Sequence, residues 1–261
     1  MKTVVTTGGR PDNLSRQRAL FASSTLAIPF VDRRKRSMQK LMEQEQANIL
    51  VAGKMRYEYY AFGQQEPFFF HPSSAAFRAK RLARGEKDTF LEAVQLEKGD
   101  TLLDCTLGMA TDSMLASIQV GEKGRIIGCE GNPVIAFMMQ QGLQEYNYVE
   151  EKLLELASMR QIEVISSIAV DYLRQLPSNT MDVVYLDPMF EKTIEESKNF
   201  TPLREAGIHI SLDDEWMYEA LRVAKKRVVL KAHFRSPLFE RYHFKQLKRP
   251  NTKFHYGIFE K

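Results

Sequence analysis

The residues best placed to do chemistry close a run of apolar side chains, where Val183-Val184-Tyr185-Leu186 leads into Asp187-Pro188-Met189-Phe190. A strand of that kind delivers a carboxylate to a cleft, Pro188 stiffens the turn, and an aromatic ring arrives three residues later. Asp187 and the carbonyl of Leu186 or Pro188 can hold an amino group by hydrogen bonds while Phe190 stacks on a planar ring. That suits methylation of an exocyclic amine, which needs no strong base. It needs a nitrogen lone pair freed from conjugation and aimed in line with a methyl donor. Read as plain structure, the same residues make a strand-ending turn.

Other strand ends carry polar residues too. Asp104-Cys105-Thr106-Leu107-Gly108 ends one apolar run, and its glycine lets a backbone approach a ligand. It is not the dinucleotide fingerprint, because one glycine stands where G-x-G-x-x-G needs three. Glu130 ends the next run, where a carboxylate can accept from both hydroxyls of a ribose. Asp171 follows Ile165-Ser166-Ser167 and can bond an adenine amine, fix a loop, cap a helix or simply face solvent. Lys231 in Val229-Leu230-Lys231-Ala232-His233 can meet a phosphate or base edge, whereas His233 reads as a core or surface histidine.

These residues need elements to position them, and the pattern from residue 90 onward supplies strand and helix in alternation. Strands are expected at 101–105, 125–130, 162–165, 181–186 and 227–232, with helices at 110–117, 132–144 and 213–224. Near-continuous apolar strands argue for a mostly parallel sheet with helices on both faces, which binds ligands at its carboxyl edge. The aromatic runs 244–247 and 254–259 read as a hairpin adding antiparallel strands at the sheet edge. Residues 1–70 read as a small α/β domain: a strand at 3–7, helices at 13–26 and 38–46 with Ser37 as cap, and strand-like stretches at 48–52, 56–62 and 66–70. The segment 71–85, with Arg78 and Arg81, would link it to the main domain of residues 71–261.

The chain has 261 residues, 44% of them hydrophobic and 27% charged, enough for a buried core and against wholesale disorder. No apolar run approaches the roughly 18 residues of a membrane span, and Lys2, Arg10, Arg16 and Arg18 precede no apolar signal region. Two cysteines in expected strands and scattered histidines suggest a reducing, cytoplasmic setting without structural metal. The net charge of +4 hides segregation. Residues 1–90 carry 16 basic against 8 acidic side chains, residues 91–223 carry 10 against 23, and residues 224–261 carry 11 against 2. Basic ends of this kind attract a polyanion such as RNA.

Taken with Glu130-Gly131-Asn132-Pro133 and Gln141-Gly142-Leu143, the segments 104–112, 185–190 and 227–231 resemble the class I S-adenosylmethionine-dependent methyltransferases. The Leu186-Asp187-Pro188-Met189-Phe190 signature is similar, more narrowly, to the small-subunit ribosomal RNA guanine-N2 methyltransferase family. The resemblance spans about residues 70–235 and implies a Rossmann-like sheet covered by helices. It also implies S-adenosylmethionine held by Asp104, Thr106, Gly108, Asp112, Glu130 and Asp171, with catalysis at Asp187, Pro188 and Phe190. Arg78, Arg81 and Lys231 would meet the substrate, with ribosomal RNA as partner. The chain departs from that family where Glu191-Lys192-Thr193 replaces Pro-His-Lys and where Lys231-Ala232-His233 replaces Lys-Arg-Pro. A nicotinamide-dependent Rossmann enzyme, a methyltransferase of small-molecule or protein amines, and a nonenzymatic RNA-binding protein are the alternatives.

Overall fold

The structure, a computed structural model, describes residues 1–147, 156–188, 211–250 and 252–261. The N-terminal part comprises β1 (Thr3–Thr7), α1 (Asn13–Leu26), α2 (Met38–Glu45), β2 (Asn48–Ala52) and β3 (Tyr57–Tyr60). Asp12 caps α1 through the Ser15 amide and Ser37 caps α2 through the Lys40 amide. β1 and β2 pair in parallel, and β3 adds antiparallel to β2. The stretch 66–70, expected to be strand-like, contributes only a bridge between Phe68 and Tyr59, because Pro67 lacks the N–H that a continuing ladder needs.

The segment expected as a linker is instead a helix, α3 (Ser73–Ala83), followed by α4 (Thr89–Val94). α3 starts at Pro72 with no capping side chain, so it lacks the usual sequence signal of a helix start. The main sheet is then built from β4 (Thr101–Asp104), α5 (Thr111–Val120), β5 (Arg125–Glu130), α6 (Pro133–Glu145), α7 (Leu156–Arg160), β6 (Ile162–Ser166), α8 (Ala169–Gln175) and β7 (Met181–Leu186). α9 (Asp214–Val223), β8 (Ala224–His233), α10 (Leu238–Arg241), β9 (Lys245–Leu247) and β10 (Phe254–Glu260) complete it.

The strand order is β6-β5-β4-β7-β8-β10-β9. The first five strands are parallel, and β10 runs antiparallel between β8 and β9. The order reverses at β4, so the carboxyl ends of β4 and β7 flank the switch point where such sheets bind ligands. Because β10 runs the other way, its first residue, Phe254, pairs with His233 at the end of β8. Arg249, between β9 and β10, therefore also reaches the carboxyl edge.

Alternation sorts the strands' side chains into two apolar layers. Leu102, Ile126, Val183, Tyr185 and Val229 share a core with α3, α4, α5 and α6. Leu103, Ile127, Val184, Leu186 and Leu230 pack with α8, α9 and α10. The first of these cores continues into the N-terminal sheet through Val5, Leu50, Tyr57 and Phe70. The Tyr57 and Phe137 rings meet edge to face at 5.0 Å across that junction. Both cysteines are free and buried, Cys129 in β5 and Cys105 just past β4.

Candidate active site

A cavity of about 600 Å³ opens at the carboxyl edge of the sheet, a size suited to a nucleoside-sized ligand. Its floor is the loop after β4. The Thr106 amide donates to Asp104 Oδ1 at 3.0 Å, and Ser113 Oγ donates to Asp104 Oδ2 at 2.7 Å. Gly108 takes a positive φ of 50° and Ala110 one of 56°, which turns the chain sharply into α5. α5 has no side-chain cap, so its leading N–H groups have no acceptor from the helix or from a capping side chain.

Burial pushes the Asp104 carboxyl up to about 7, with Ser113 and the Thr106 amide offsetting part of the shift. Near neutrality the Asp104 carboxyl is therefore shared between its neutral and charged forms, and a cation bound beside it would favour the charged one. Glu130 stands at the end of β5 on the same cavity wall. Burial raises its carboxyl too, against the pull of the Asn132 and Gly131 amides.

The opposite half is a network of buried charges. Lys231 Nζ donates to Asp187 Oδ2 at 2.6 Å and lies 3.7 Å from Asp112 Oδ2. Asp112 also accepts from Arg78 Nη1 at 2.5 Å and from the Tyr185 hydroxyl at 2.9 Å. Arg78 clamps Asp88 with two further bonds of 2.8 Å, while Asp88 caps α4 through the Phe90 and Leu91 amides. Burial opposes the charge on Lys231, but Asp187 and Asp112 outweigh it and hold the ammonium above its ordinary range. Burial likewise works against the Asp112 carboxylate, and Lys231 and Arg78 still bring it below its usual value. At Asp187 burial wins, and Lys231 offsets only part of the rise.

The Asp187 amide donates to Thr106 Oγ1 at 2.9 Å, which ties the end of β7 to the β4 loop. Among the described residues no donor reaches Asp187 Oδ1. One carboxylate oxygen is thus held by Lys231, and among the described residues the other has no donor.

Of the residues expected from sequence, Asp104, Thr106, Gly108, Asp112, Glu130, Asp187, Pro188, Arg78, Arg81 and Lys231 all line this cavity. Asp171 does not: it lies in the first turn of α8, half-exposed, and pairs with Arg174 Nη1 at 2.6 Å. Ser167 and Ile168 line the wall in its place. Phe190 and Met189 lie outside the described residues. Arg78 was expected to meet substrate, yet three of its N–H groups are committed to Asp88 and Asp112. Lys231, expected on a phosphate or base, is held by carboxylates, and Arg81 pairs with Glu86 at 2.6 Å.

Sequence reasoning missed Tyr185, Asp88, Arg249, Phe254 and Tyr256 in the wall. Tyr185 had a signal, since it lies two residues before Asp187 and so shares its side of the strand. Asp88 comes with its cap on α4, a local signal, whereas Arg249, Phe254 and Tyr256 arrive through the pairing of β10 with β8, which no local pattern reports.

The donor set fits S-adenosylmethionine: a carboxylate at the end of β5 for ribose hydroxyls, free helix N–H groups for a carboxylate, and buried acids for a cationic group. The family described as "Putative SAM-dependent methyltransferase" matches residues 33–255. The Uncharacterized protein YpiP of Bacillus subtilis (strain 168) is 40% identical over 98% of this chain and 99% of its own length. Ribosomal RNA small subunit methyltransferase J of Haemophilus influenzae (strain PittEE) is 30% identical over 58% of this chain and 59% of that protein. The crystal structure of a SAM-dependent methyltransferase from Neisseria gonorrhoeae matches with a TM-score of 0.58 at 17% identity, over 98% of this chain and 95% of that one. That last likeness is one of fold.

Proposed function

The chain belongs to the SAM-dependent methyltransferase family, and from that premise we propose that it methylates an exocyclic nucleobase amine of RNA, guanine N2 of small-subunit ribosomal RNA being the first candidate. The observation that carries this reading is the state of Asp187, with Oδ2 held by Lys231 and Oδ1 left at the cavity wall without a donor among the described residues. An amine N–H is a partner that such an oxygen can take. The partial likeness to the ribosomal RNA small subunit methyltransferase J proteins and the basic ends of the chain support RNA as the source of that amine.

In this reading Glu130 holds the ribose of S-adenosylmethionine, and the first turn of α5 with Asp104 and Asp112 holds its amino-acid end. The bound cofactor supplies a methyl group on a positively charged sulfur. Asp187 Oδ1 accepts one N–H of the target amine, and the carbonyl of Leu186 or Pro188 accepts the other. These bonds rotate the lone pair out of conjugation with the base and aim it at the methyl group. Lys231 offsets part of the burial that works against the Asp187 charge, and so favours the carboxylate form that accepts. The target base must leave its stack to reach the cavity, at a cost of a few kcal/mol.

The test is to delete the gene, digest ribosomal RNA and read missing methylated nucleosides by mass spectrometry. The strain is then complemented with wild type or Asp187→Asn. Loss of one N2-methylguanosine, restored by wild type and not by Asp187→Asn, is expected. Loss of N6-methyladenosine instead would move the target to adenine. If no methylated nucleoside is lost, or if Asp187→Asn restores it fully, the assigned substrate or the assigned turn is wrong.

A further inference from the structure

Most cations that lie over aromatic rings in this structure also hold a carboxylate, as do Arg18, Arg56, Arg78, Lys231 and Arg241. Two do not, among the described residues. Arg249 lies 5.0 Å from the Phe254 ring and 5.9 Å from Tyr256, and Arg235 lies 5.0 Å from the Phe234 ring. Arg249 lines the cavity, whereas the other cations there, Arg78, Arg81, Lys87 and Lys231, all face acids.

The two stacks are neighbours. Arg235 follows the end of β8, Arg249 lies in the β9–β10 turn, and Phe254 pairs in register with His233. The turn is tied down: the Phe234 amide donates to the Lys253 carbonyl at 3.1 Å, and Gln246 Nε2 donates to the Phe234 carbonyl at 2.9 Å. The buried His255 ring meets Gln246 through Nδ1 at 2.8 Å and the Arg249 carbonyl through Nε2 at 3.0 Å. Both arginines therefore sit on an edge whose neighbouring residues these bonds hold together. That edge is on the β7–β8–β10 side of the sheet, away from the β4–β5–β6 ends where Asp104 and Glu130 sit.

A guanidinium lying against a ring keeps its N–H edge free for the two oxygens of a phosphate. An exposed ring beside it offers a stacking platform to a base, and Phe234 is 37% exposed. We propose that Arg249 with Phe254, and Arg235 with Phe234, form the rim that grips the RNA strand, Arg249 at the phosphate of the target nucleotide and Arg235 at its neighbour's. This rests on the reading that the substrate is RNA.

The test uses the full chain as Arg249→Gln, Arg235→Gln and the double variant. The control is Arg125→Gln, which removes a cation at the opposite, amino end of β5. Small-subunit ribosomal RNA from the deletion strain is titrated between 50 and 200 mM salt, and S-adenosylmethionine binding is followed by calorimetry. The double variant should bind that RNA about tenfold more weakly or worse. Its plot of log affinity against log salt should be shallower by roughly 1.4, about 0.7 for each single-strand phosphate that the protein no longer neutralises. Cofactor affinity should stay within about twofold, and the control should match wild type. Wild-type RNA affinity and salt slope in the double variant would overturn the inference while leaving the RNA reading intact. Loss of cofactor binding with RNA binding retained would reassign Arg249 to the cofactor. If wild type itself neither binds nor methylates the RNA, the RNA reading fails and takes the rim with it.

Discussion

Lys231 Nζ and Asp187 Oδ2 meet at 2.6 Å just where the parallel pairing of β7 and β8 ends, with Asp112 a further 3.7 Å from the same ammonium. Removing the ammonium leaves two carboxyls facing each other with less positive charge between them, so the Asp187 carboxyl should rise further. Lys231→Met should therefore lower kcat by tenfold or more, with little change in cofactor affinity. The acid limb of the pH–rate profile should move to higher pH, because a carboxyl that releases its proton later is ionised only at higher pH. Lys231→Arg keeps the charge and should restore part of the rate. A lowered rate with an unmoved acid limb would make Lys231 a packing residue.

Glu130 is raised by burial, yet at the end of β5 it can accept from ribose hydroxyls. Glu130→Ala should weaken S-adenosylmethionine binding by about 1.5–3 kcal/mol, the worth of hydrogen bonds to a charged group. Calorimetry measures this directly, and an unchanged affinity would place the ribose elsewhere.

Asp104 has a pH signature of its own. Its folded carboxyl holds a proton up to about pH 7, whereas the ordinary value is 3.8, so between these limits the folded state binds more protons than the unfolded one. Stability then falls as pH rises through that window and levels off above it. Asp104→Asn mimics the protonated form and escapes the loss. Its advantage over wild type in urea denaturation should widen by about 2 kcal/mol between pH 5 and pH 7. A gap that stays constant would mean that Asp104 is ionised throughout.

Gly142 in α6 lies against Phe70, and a Cβ there would come within 2.2 Å of the ring and 2.6 Å of the Phe70 Cβ. Alanine is the better helix former by about 1 kcal/mol, but moving Phe70 also shifts the backbone that joins the N-terminal part to α3. The clash should win, and Gly142→Ala should lower stability by about 1–2 kcal/mol in thermal or urea unfolding. A more stable variant would show that this junction yields easily.

The main sheet was legible in the sequence because its strands are buried on both faces. Runs such as Val183-Val184-Tyr185-Leu186 and Val228-Val229-Leu230 are apolar without interruption, and each delivers its next polar residue to the carboxyl edge. That local rule was enough to bring Asp104, Glu130, Asp187 and Lys231 to one cavity. It failed at Asp171, because that residue lies in the first turn of α8 and the helix orients it toward Arg174, not along a strand. It failed at α3, which has no capping side chain to announce it. Only the tertiary structure decided which charges neutralise one another. Arg78 reaches Asp112 across 34 positions and Lys231 reaches Asp187 across 44, and neither pairing leaves a periodic trace. The same holds for Arg249 and Phe254, whose place at the cavity depends on β10 running antiparallel beside β8. Side-chain alternation tells which face a residue takes within its own strand, whereas partners across the sheet depend on strand order and direction, which the core as a whole determines.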